Sequence, residues 1–528
     1  MLQQSLSFYK FHSHELIFVL SKPTMSSPLL SLIPAESNVF FPLVFLSLLF
    51  ILLLTHLRTP TRKQPPLPPG PTPWPVVGNL FQLSRKTPLH ISLATLAEVH
   101  GPLMLLKMGS HRLIVGSSPA AAREILNTHD RILSGRYMPQ VIQTKGSKIH
   151  NHQLVFNDEC DHRWRRVKSA YKSELFSARA LESQVGIRER KIWELVKHLG
   201  LMDGRVVKIK EVVTFTAINI ISRAMLSRDF VDLEGRGAGE GLMQNVRRFT
   251  EAGWKLGDLF AVLSGWDWQG TYKEFLGLFG RCCGVWVGLV EERRGRGSGN
   301  GRDFADALIE SGFSDDQINA VFMELIGAGI ESTSATTEWA LTEFMRNPEP
   351  MQKLREELSK EITGDTIRES DLPRLPYLEA CLKEILRLHP PGPLLLPHRA
   401  LETCEVMGCT IPKGSQILVN MWAIARDPKI WDDPLSFKPE RFLSSRLDYM
   451  GSDYEYFPFG SGRRFCPGQP LASRVVPVII ASLIHNFDWV LPGNMDPAQI
   501  DMTDKLDVTM LKQEPLCAIP KLRRQLMK

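Results

Sequence analysis

The chain has 528 residues, and at about 150 residues per domain its length alone predicts three or four domains. Hydrophobic residues make up 43% and charged residues 23%, which excludes a disordered, collagenous or coiled-coil chain; charge spread along nearly the whole length excludes a multi-span transporter. Lys+Arg at 63 against Asp+Glu at 57 leaves +6, far from the basic footprint of a nucleic-acid binder, and eight cysteines with no C-x-x-C pair form no disulfide framework, so most of the chain reads as residing in a reducing environment.

Residues 1–38 read as an N-terminal lead, within which Met25 is an alternative start. Residues 39–57, VFFPLVFLSLLFILLLTHL, are almost wholly apolar. A helix needs about 20 such residues to cross a bilayer. A cleaved secretory signal is the alternative, but the run is long for one and no small-residue cleavage site comes after it. Arg58, Arg62 and Lys63 lie directly beyond the run, a bias that places its C-terminal flank in the cytoplasm. Residues 58–79 form a basic and proline-rich hinge, with seven prolines between Pro65 and Pro75. Proline fixes φ and removes donors, so this stretch is expected to be stiff, extended and non-helical. Residues 80–528 show no internal repeat and read as one large domain.

Short strand patterns are predicted at Leu103–Lys107, Arg112–Val115 and Gln416–Val419; the rest is mostly helical in pattern. The glycine-rich charged run Glu291–Arg302 reads as a solvated loop. Ser314 to Gln317 has capping-box spacing and opens a helix predicted to run to Arg346, before Asn347-Pro348. At 1.5 Å per residue it spans roughly 48 Å. Its centre, GAGIESTS from Gly327 to Ser334, sets two glycines and several polar residues inside a helix that should be buried. Such a local violation points to function or to a kink satisfied by neighbouring helices.

Near the C-terminus stands FGSGRRFCPG, Phe459–Gly468. One cysteine sits in a glycine-bounded loop, with arginines upstream and a helix expected after Pro467. Nearby cations and a helix N-terminus favour a thiolate, and Gly462 and Gly468 are expected to let backbone N–H groups approach the sulfur. This F-x-x-G-x-R-x-C-x-G pattern resembles the haem-binding loop of the cytochrome P-450 superfamily. Glu384–Arg387 matches the family's E-x-x-R, Pro439–Phe442 its P-E-R-F, and Ala328–Ser332 its oxygen-binding-helix motif A-G-x-[DE]-T. The resemblance covers roughly residues 64–520. It implies a mainly α fold with a small β region, a long central helix over the haem, and one N-terminal transmembrane helix.

The same resemblance makes Cys466 the axial ligand of the iron of haem b, a thiolate that favours O–O cleavage. Phe459 would pack near the sulfur, with Gly468 beside it, and Arg464 would pair with a haem propionate. Trp164 and Lys168 fall on the family's W-x-x-x-R, with lysine replacing arginine: the charge is kept and the bidentate fork lost. His398 resembles a further propionate contact; a surface histidine is the alternative. Glu331 and Ser332 match the catalytic acid–alcohol pair that supplies protons to the reacting oxygen. Glu384, Arg387 and Arg441 resemble a structural charge triad. No dinucleotide fingerprint is present, so electrons are expected from NADPH through a separate NADPH-cytochrome reductase. The basic run Arg163, Arg165, Arg166, Lys168 and Lys172 is its expected docking face, a solvated face being the alternative.

Three stretches, LNTHDRILSGRY at 126–137, DDQINA at 315–320 and LLLPHRALETC at 394–404, resemble plant microsomal members, in the alkaloid branch that contains N-methylcoclaurine 3′-hydroxylase. The implied activity is that of an enzyme of the endoplasmic reticulum membrane. It would use dioxygen to hydroxylate a small hydrophobic, aromatic or alkaloid-like metabolite, with no role for nucleic acid. Phenol coupling or rearrangement at the same site, and a non-catalytic haem or ligand carrier, are the alternatives. Substrate contacts are expected around 140–155, 254–268, 322–330, 392–396 and 507–511. Trp254, Trp266, Trp268 and Phe322 are candidate pocket walls, and Asp507 a candidate partner for a basic amine.

Overall fold

The computed structural model describes Ser47 and residues 65–83, 87–138, 152–251, 271–296, 302–506 and 509–523. The predicted span 39–57, apart from Ser47, lies outside them, as do Trp254, Trp266, Trp268 and Asp507. No helix among the described residues is long and apolar enough to cross a membrane.

The prolines from Pro65 onward take the extended, helix-free path that their composition dictates. They do not hang clear of the domain. Pro65 and Pro66 carbonyls accept from the Thr410 hydroxyl and N–H at 2.7 and 2.8 Å, and the Pro69 carbonyl accepts from Leu105 N at 2.8 Å. A proline segment has carbonyls to offer and no N–H to satisfy, which suits it to the edge of a sheet.

The sheet that holds Leu105 has five strands, and Thr410 lies in a separate two-stranded one: β1 Leu103–Met108, β2 His111–Gly116, β3 Gly135–Arg136, β4 His398–Arg399 and β5 Gln416–Val419 form the larger, in the order β1-β2-β5-β4-β3. The three predicted strands are β1, β2 and β5; the first two are longer than expected by one and two residues. Only β2 and β5 run parallel. The register sets Arg136 on β3 directly opposite His398 on β4.

The helices that frame the interior are α1 His162–Ala170, α2 Ile209–Leu226, α3 Leu242–Glu251, α4 Asp315–Arg346, α5 Pro376–Leu388 and α6 Gln469–Asn486. The predicted long helix is α4, with the bounds expected. Ser314 Oγ accepts from Gln317 N, and the Gln317 side chain accepts from Ser314 N, a complete capping box. One large apolar core gathers around α5, α6 and the C-terminal half of α4, and a second joins α1, α2, α3 and the N-terminal half of α4.

Two expectations are corrected. The run Glu291–Arg302 is not a loop at its start, because the helix Val287–Arg296 continues through it. Arg293 reaches Asp303 and the Leu226 carbonyl, and Arg294 reaches Asp315, so charges read as solvated are structural. Phe322 is fully buried between Trp286 and Phe304, at ring distances of 6.0 and 6.4 Å. It is core and not a pocket wall.

Candidate active site

The cysteine loop is built by its backbone. Cys466 N donates to the Phe459 carbonyl at 3.0 Å, closing the loop before α6 begins at Gln469. The first N–H groups of a helix have no intrahelical acceptor, and here those of Gly468 and Gln469 point at the Cys466 sulfur. Burial pushes the thiol up, and these two donors pull it down less than burial raises it. The expected help from the arginines is absent. Arg464 donates to the carbonyls of Ser134, Leu154 and Asn157 at 3.0, 2.8 and 2.6 Å, and Arg463 pairs with Asp130. Gly462 also serves otherwise than expected. Its φ is +68°, and a Cβ there would lie 2.2 Å from the Leu126 carbonyl oxygen, so its bareness admits that carbonyl and not a donor to sulfur.

The sulfur opens into a cavity of about 410 Å³. Its walls bring together Cys466, Phe459, Gly468, Arg464, Trp164, Lys168, His398, Glu331 and Ser332, every residue proposed from sequence for the cofactor or the chemistry. Glu384, Arg387 and Arg441 lie behind the walls.

One end of the cavity is cationic. Lys168 Nζ donates to the Arg463 carbonyl at 3.2 Å and lies 4.6 Å from the Trp164 ring; burial lowers its pKa. Trp164 donates its only side-chain N–H to the Leu154 carbonyl at 3.1 Å, so what it offers a bound group is its ring. His398 is buried, and its Nδ1 faces the Leu133 carbonyl at 2.9 Å. A carbonyl only accepts, so Nδ1 carries the hydrogen and the neutral ring presents a bare Nε2. Burial and the Arg136 and Arg464 charges hold its pKa well below the usual histidine value. It can donate toward an anion only once that anion has drawn a proton onto Nε2.

Sequence reasoning missed Arg136. It is buried, lines the cavity, and donates to the Val155 and Leu396 carbonyls at 3.1 and 2.9 Å. Its residue type was visible inside SGRY, but the strand register that faces it to His398 was not. Among the described residues, Arg136, Lys168 and Arg464 donate to backbone carbonyls and pair with no carboxylate. A guanidinium has five N–H donors, so Arg464 keeps two and Arg136 three for an anion.

The opposite wall is α4. Gly327 and Gly329 both line the cavity, and only Gly329 is also closely packed from behind. A Cβ on Gly329 would lie 2.6 Å from Ile221 Cδ1, so this glycine lets α2 pack close; Gly327 has only Val246 near it, at 3.7 Å. Ser332 Oγ donates to the Ala328 carbonyl at 2.7 Å. Glu331 is buried, and its Oε1 accepts from Arg247 Nε on α3 at 2.8 Å and from Lys210 Nζ on α2 at 3.4 Å. Burial is the main cause that lowers the Lys210 pKa.

Behind the cavity the triad is a single network. Arg387 holds Glu384 through two bonds of 2.7 and 2.8 Å, and Arg441 Nε and Lys438 N also donate to Glu384 Oε1, at 3.0 and 2.9 Å. The remaining Arg387 donors reach the carbonyls of Ala425, Pro434 and Ser436.

The donor set fits a thiolate-held haem. A single thiol with helix N–H donors faces a helix thinned by glycine, and cations without carboxylate partners gather at one end, where a group bearing two carboxylates would need them.

Comparison with known proteins agrees with this geometry. The family model for cytochrome P-450 matches residues 68–517. A protein of Coptis japonica named probable (S)-N-methylcoclaurine 3′-hydroxylase isozyme 2 is 46% identical over 485 residues, covering 91% of this chain and 98% of its own. Corytuberine synthase of the same plant is 44% identical over 488 residues, covering 92% and 98%. A zebra fish cytochrome P-450 solved with progesterone superposes with a TM-score of 0.70 at 25% identity, covering 83% of this chain and 100% of that one. A cysteine loop facing a notched helix across one cavity, within a fold and a sequence shared at this level, identifies the chain as a member of the cytochrome P-450 family and a monooxygenase.

Proposed function

We propose that this chain is a membrane-anchored monooxygenase of the endoplasmic reticulum that hydroxylates a small aromatic alkaloid, with electrons from NADPH delivered by a separate reductase. The observation that carries this reading is the single cavity that sets Cys466 against Ser332 with a cationic end beside them. The similarity to an N-methylcoclaurine hydroxylase supports the substrate class. Oxidative coupling or rearrangement of an alkaloid is the second reading, favoured by a relative of 44% identity that is named a synthase. Product analysis by mass spectrometry, with NADPH and reductase, tests both. Turnover of a benzylisoquinoline panel is expected, and turnover confined to terpenoids or phenylpropanoids would overturn the alkaloid assignment.

In this reading Cys466 holds the iron, Phe459 and the Gly468 backbone frame the sulfur, and Arg464, Arg136, Lys168 and His398 hold the carboxylates against the Trp164 ring. When bound, the haem supplies the reductive activation of dioxygen. The protein's part is to position substrate and to move protons along α4. Ser332 can turn its proton into the cavity by giving up one bond to the Ala328 carbonyl, a net cost of about 1 kcal/mol. Glu331 stands one residue away, with Lys210 bonded to it as a proton source that burial makes readier to release. Ser332→Ala is expected to bind substrate normally while product formed per NADPH consumed falls roughly tenfold or more. An unchanged ratio would remove Ser332 from proton delivery.

The reductase is proposed to dock on the basic side of α1. Arg163 and Arg165 are exposed there, and Lys168 ties the helix to the cysteine loop. Exposed charges separated by more than about 10 Å are screened at 0.1 M salt. Reductase-supported turnover is therefore expected to fall steeply with added salt while substrate binding stays constant. A salt-insensitive rate would count against this face.

A further inference from the structure

Two carboxyl groups line the cavity, and they are in opposite situations. Glu331 is bonded by two cations. Glu324, also on α4 and buried, has no cation partner among the described residues. Its Oε2 accepts from the N–H groups of Leu154 and Val155 at 2.7 and 3.2 Å, and the Tyr171 hydroxyl, which donates to the Val321 carbonyl at 3.2 Å, lies nearby. A carboxylate has about four acceptor sites, so at least one remains. A buried carboxylate without a counter-ion is costly unless it is neutralised or paired. Here burial raises the acid to about 7, which leaves it divided between the two forms near neutrality. The nearest cations are Arg464 and Arg136; their bonds among the described residues go to carbonyls, and neither donates to Glu324.

We propose that Glu324 is the cavity's recognition group for a protonated amine on the substrate. The inference rests on the alkaloid reading above and adds the contact that would select it. An ammonium N–H brings both the missing donor and the missing charge. Placement supports the role. Glu324, Ala328 and Ser332 are spaced at intervals of four, on one face of α4. At 1.5 Å per residue, Glu324 stands about 6 Å along the helix from Ala328 and about 12 Å from Ser332. An amine held at Glu324 therefore leaves an aromatic ring one or two helical turns away, at the Ala328–Ser332 segment.

The test is Glu324→Gln in the full-length, haem-loaded protein. Glutamine keeps an oxygen for Leu154 and Val155 N–H and removes only the charge. The probes are an N-methylated benzylisoquinoline and its uncharged N-acetyl counterpart, with dissociation constants measured by the substrate-induced absorbance shift. E324Q is expected to weaken binding of the amine roughly tenfold or more and to leave the N-acetyl compound within about twofold. The ratio of variant to wild-type constants for the amine should also grow as pH rises from about 6 to about 8, as the wild-type carboxyl ionises in the field of Arg464, Arg136 and Tyr171. Taking the ratio cancels the amine's own titration. Equal losses for both compounds, or no loss for the amine, would overturn the proposal. Should the variant fail to retain haem, the wild-type pH profiles decide alone: amine affinity that does not rise relative to the N-acetyl compound over this range overturns it. If neither compound binds wild type while a terpenoid does, the alkaloid reading fails and takes this inference with it; binding of both with no discrimination fails this inference only.

Discussion

Arg387→Ala is expected to give a chain that retains little or no haem and accumulates poorly. Glu384 and Arg387 side chains are both 0% exposed. The substitution strands the carboxylate with Arg441 and one backbone N–H, and strips donors from the carbonyls of Ala425, Pro434 and Ser436. Removing one partner of a buried ion pair typically costs about 3–5 kcal/mol, a large share of the roughly 5–15 kcal/mol that holds a domain together. The damage does not stay local. The network ties α5 to the segment approaching the cysteine loop, which is also held by Tyr456 OH on the Lys383 carbonyl and by Tyr449 against the Phe459 ring. Arg387→Lys keeps the charge and loses the fork, so an intermediate haem content is expected. Haem per polypeptide is the measurement. Normal content with abolished turnover would mean that the triad takes part in the chemistry and not in holding the fold.

Cys466→Ser is expected to abolish turnover and the thiolate signature in the carbon monoxide difference spectrum of the reduced protein. Of the eight cysteines, Cys466 is the one on the cavity wall, and Cys282, Cys283 and Cys381 are buried, with thiols pushed up by desolvation. Burial also disfavours the Cys466 anion in the protein alone, and the two helix N–H donors offset only part of that. A metal ion bound there would deprotonate the coordinating thiol outright. A serine hydroxyl ionises far less readily and donates less electron density. A thiolate-type spectrum surviving in C466S would show that another residue holds the iron.

Features governed by neighbouring residues were readable in the chain. Ser314 and Gln317 cap α4, Asn347-Pro348 ends it, and the Phe459–Gly468 loop is shaped by backbone bonds among residues a few positions apart. The strand at Gln416–Val419 emerged from the same local signals. The errors were of another kind. The Cys466 loop was expected to use Gly462 and the arginines to favour the thiolate, and that required knowing that the Leu126 carbonyl and Asp130 lie against them. Phe322 looked like pocket and proved to be core, because an apolar residue on a helix has the same signature whichever side is hollow.

Local order along the chain therefore determined the cysteine loop, the notched helix and the residues of the charge triad, since short-range spacing is enough to specify caps, loops and helix faces. Which charges meet was decided only by the fold. Arg247 and Lys210 reach Glu331 from 84 and 121 residues away, and Arg136 meets His398 through strand register. Glu324, eight positions from Ser332 on the same helix, is left without an ion pair because the cations that the fold brings near it, Arg136 and Arg464, bond backbone carbonyls instead. Coulomb partners and desolvation depend on distance in space and on exclusion of water, and neither quantity is written in the order of residues.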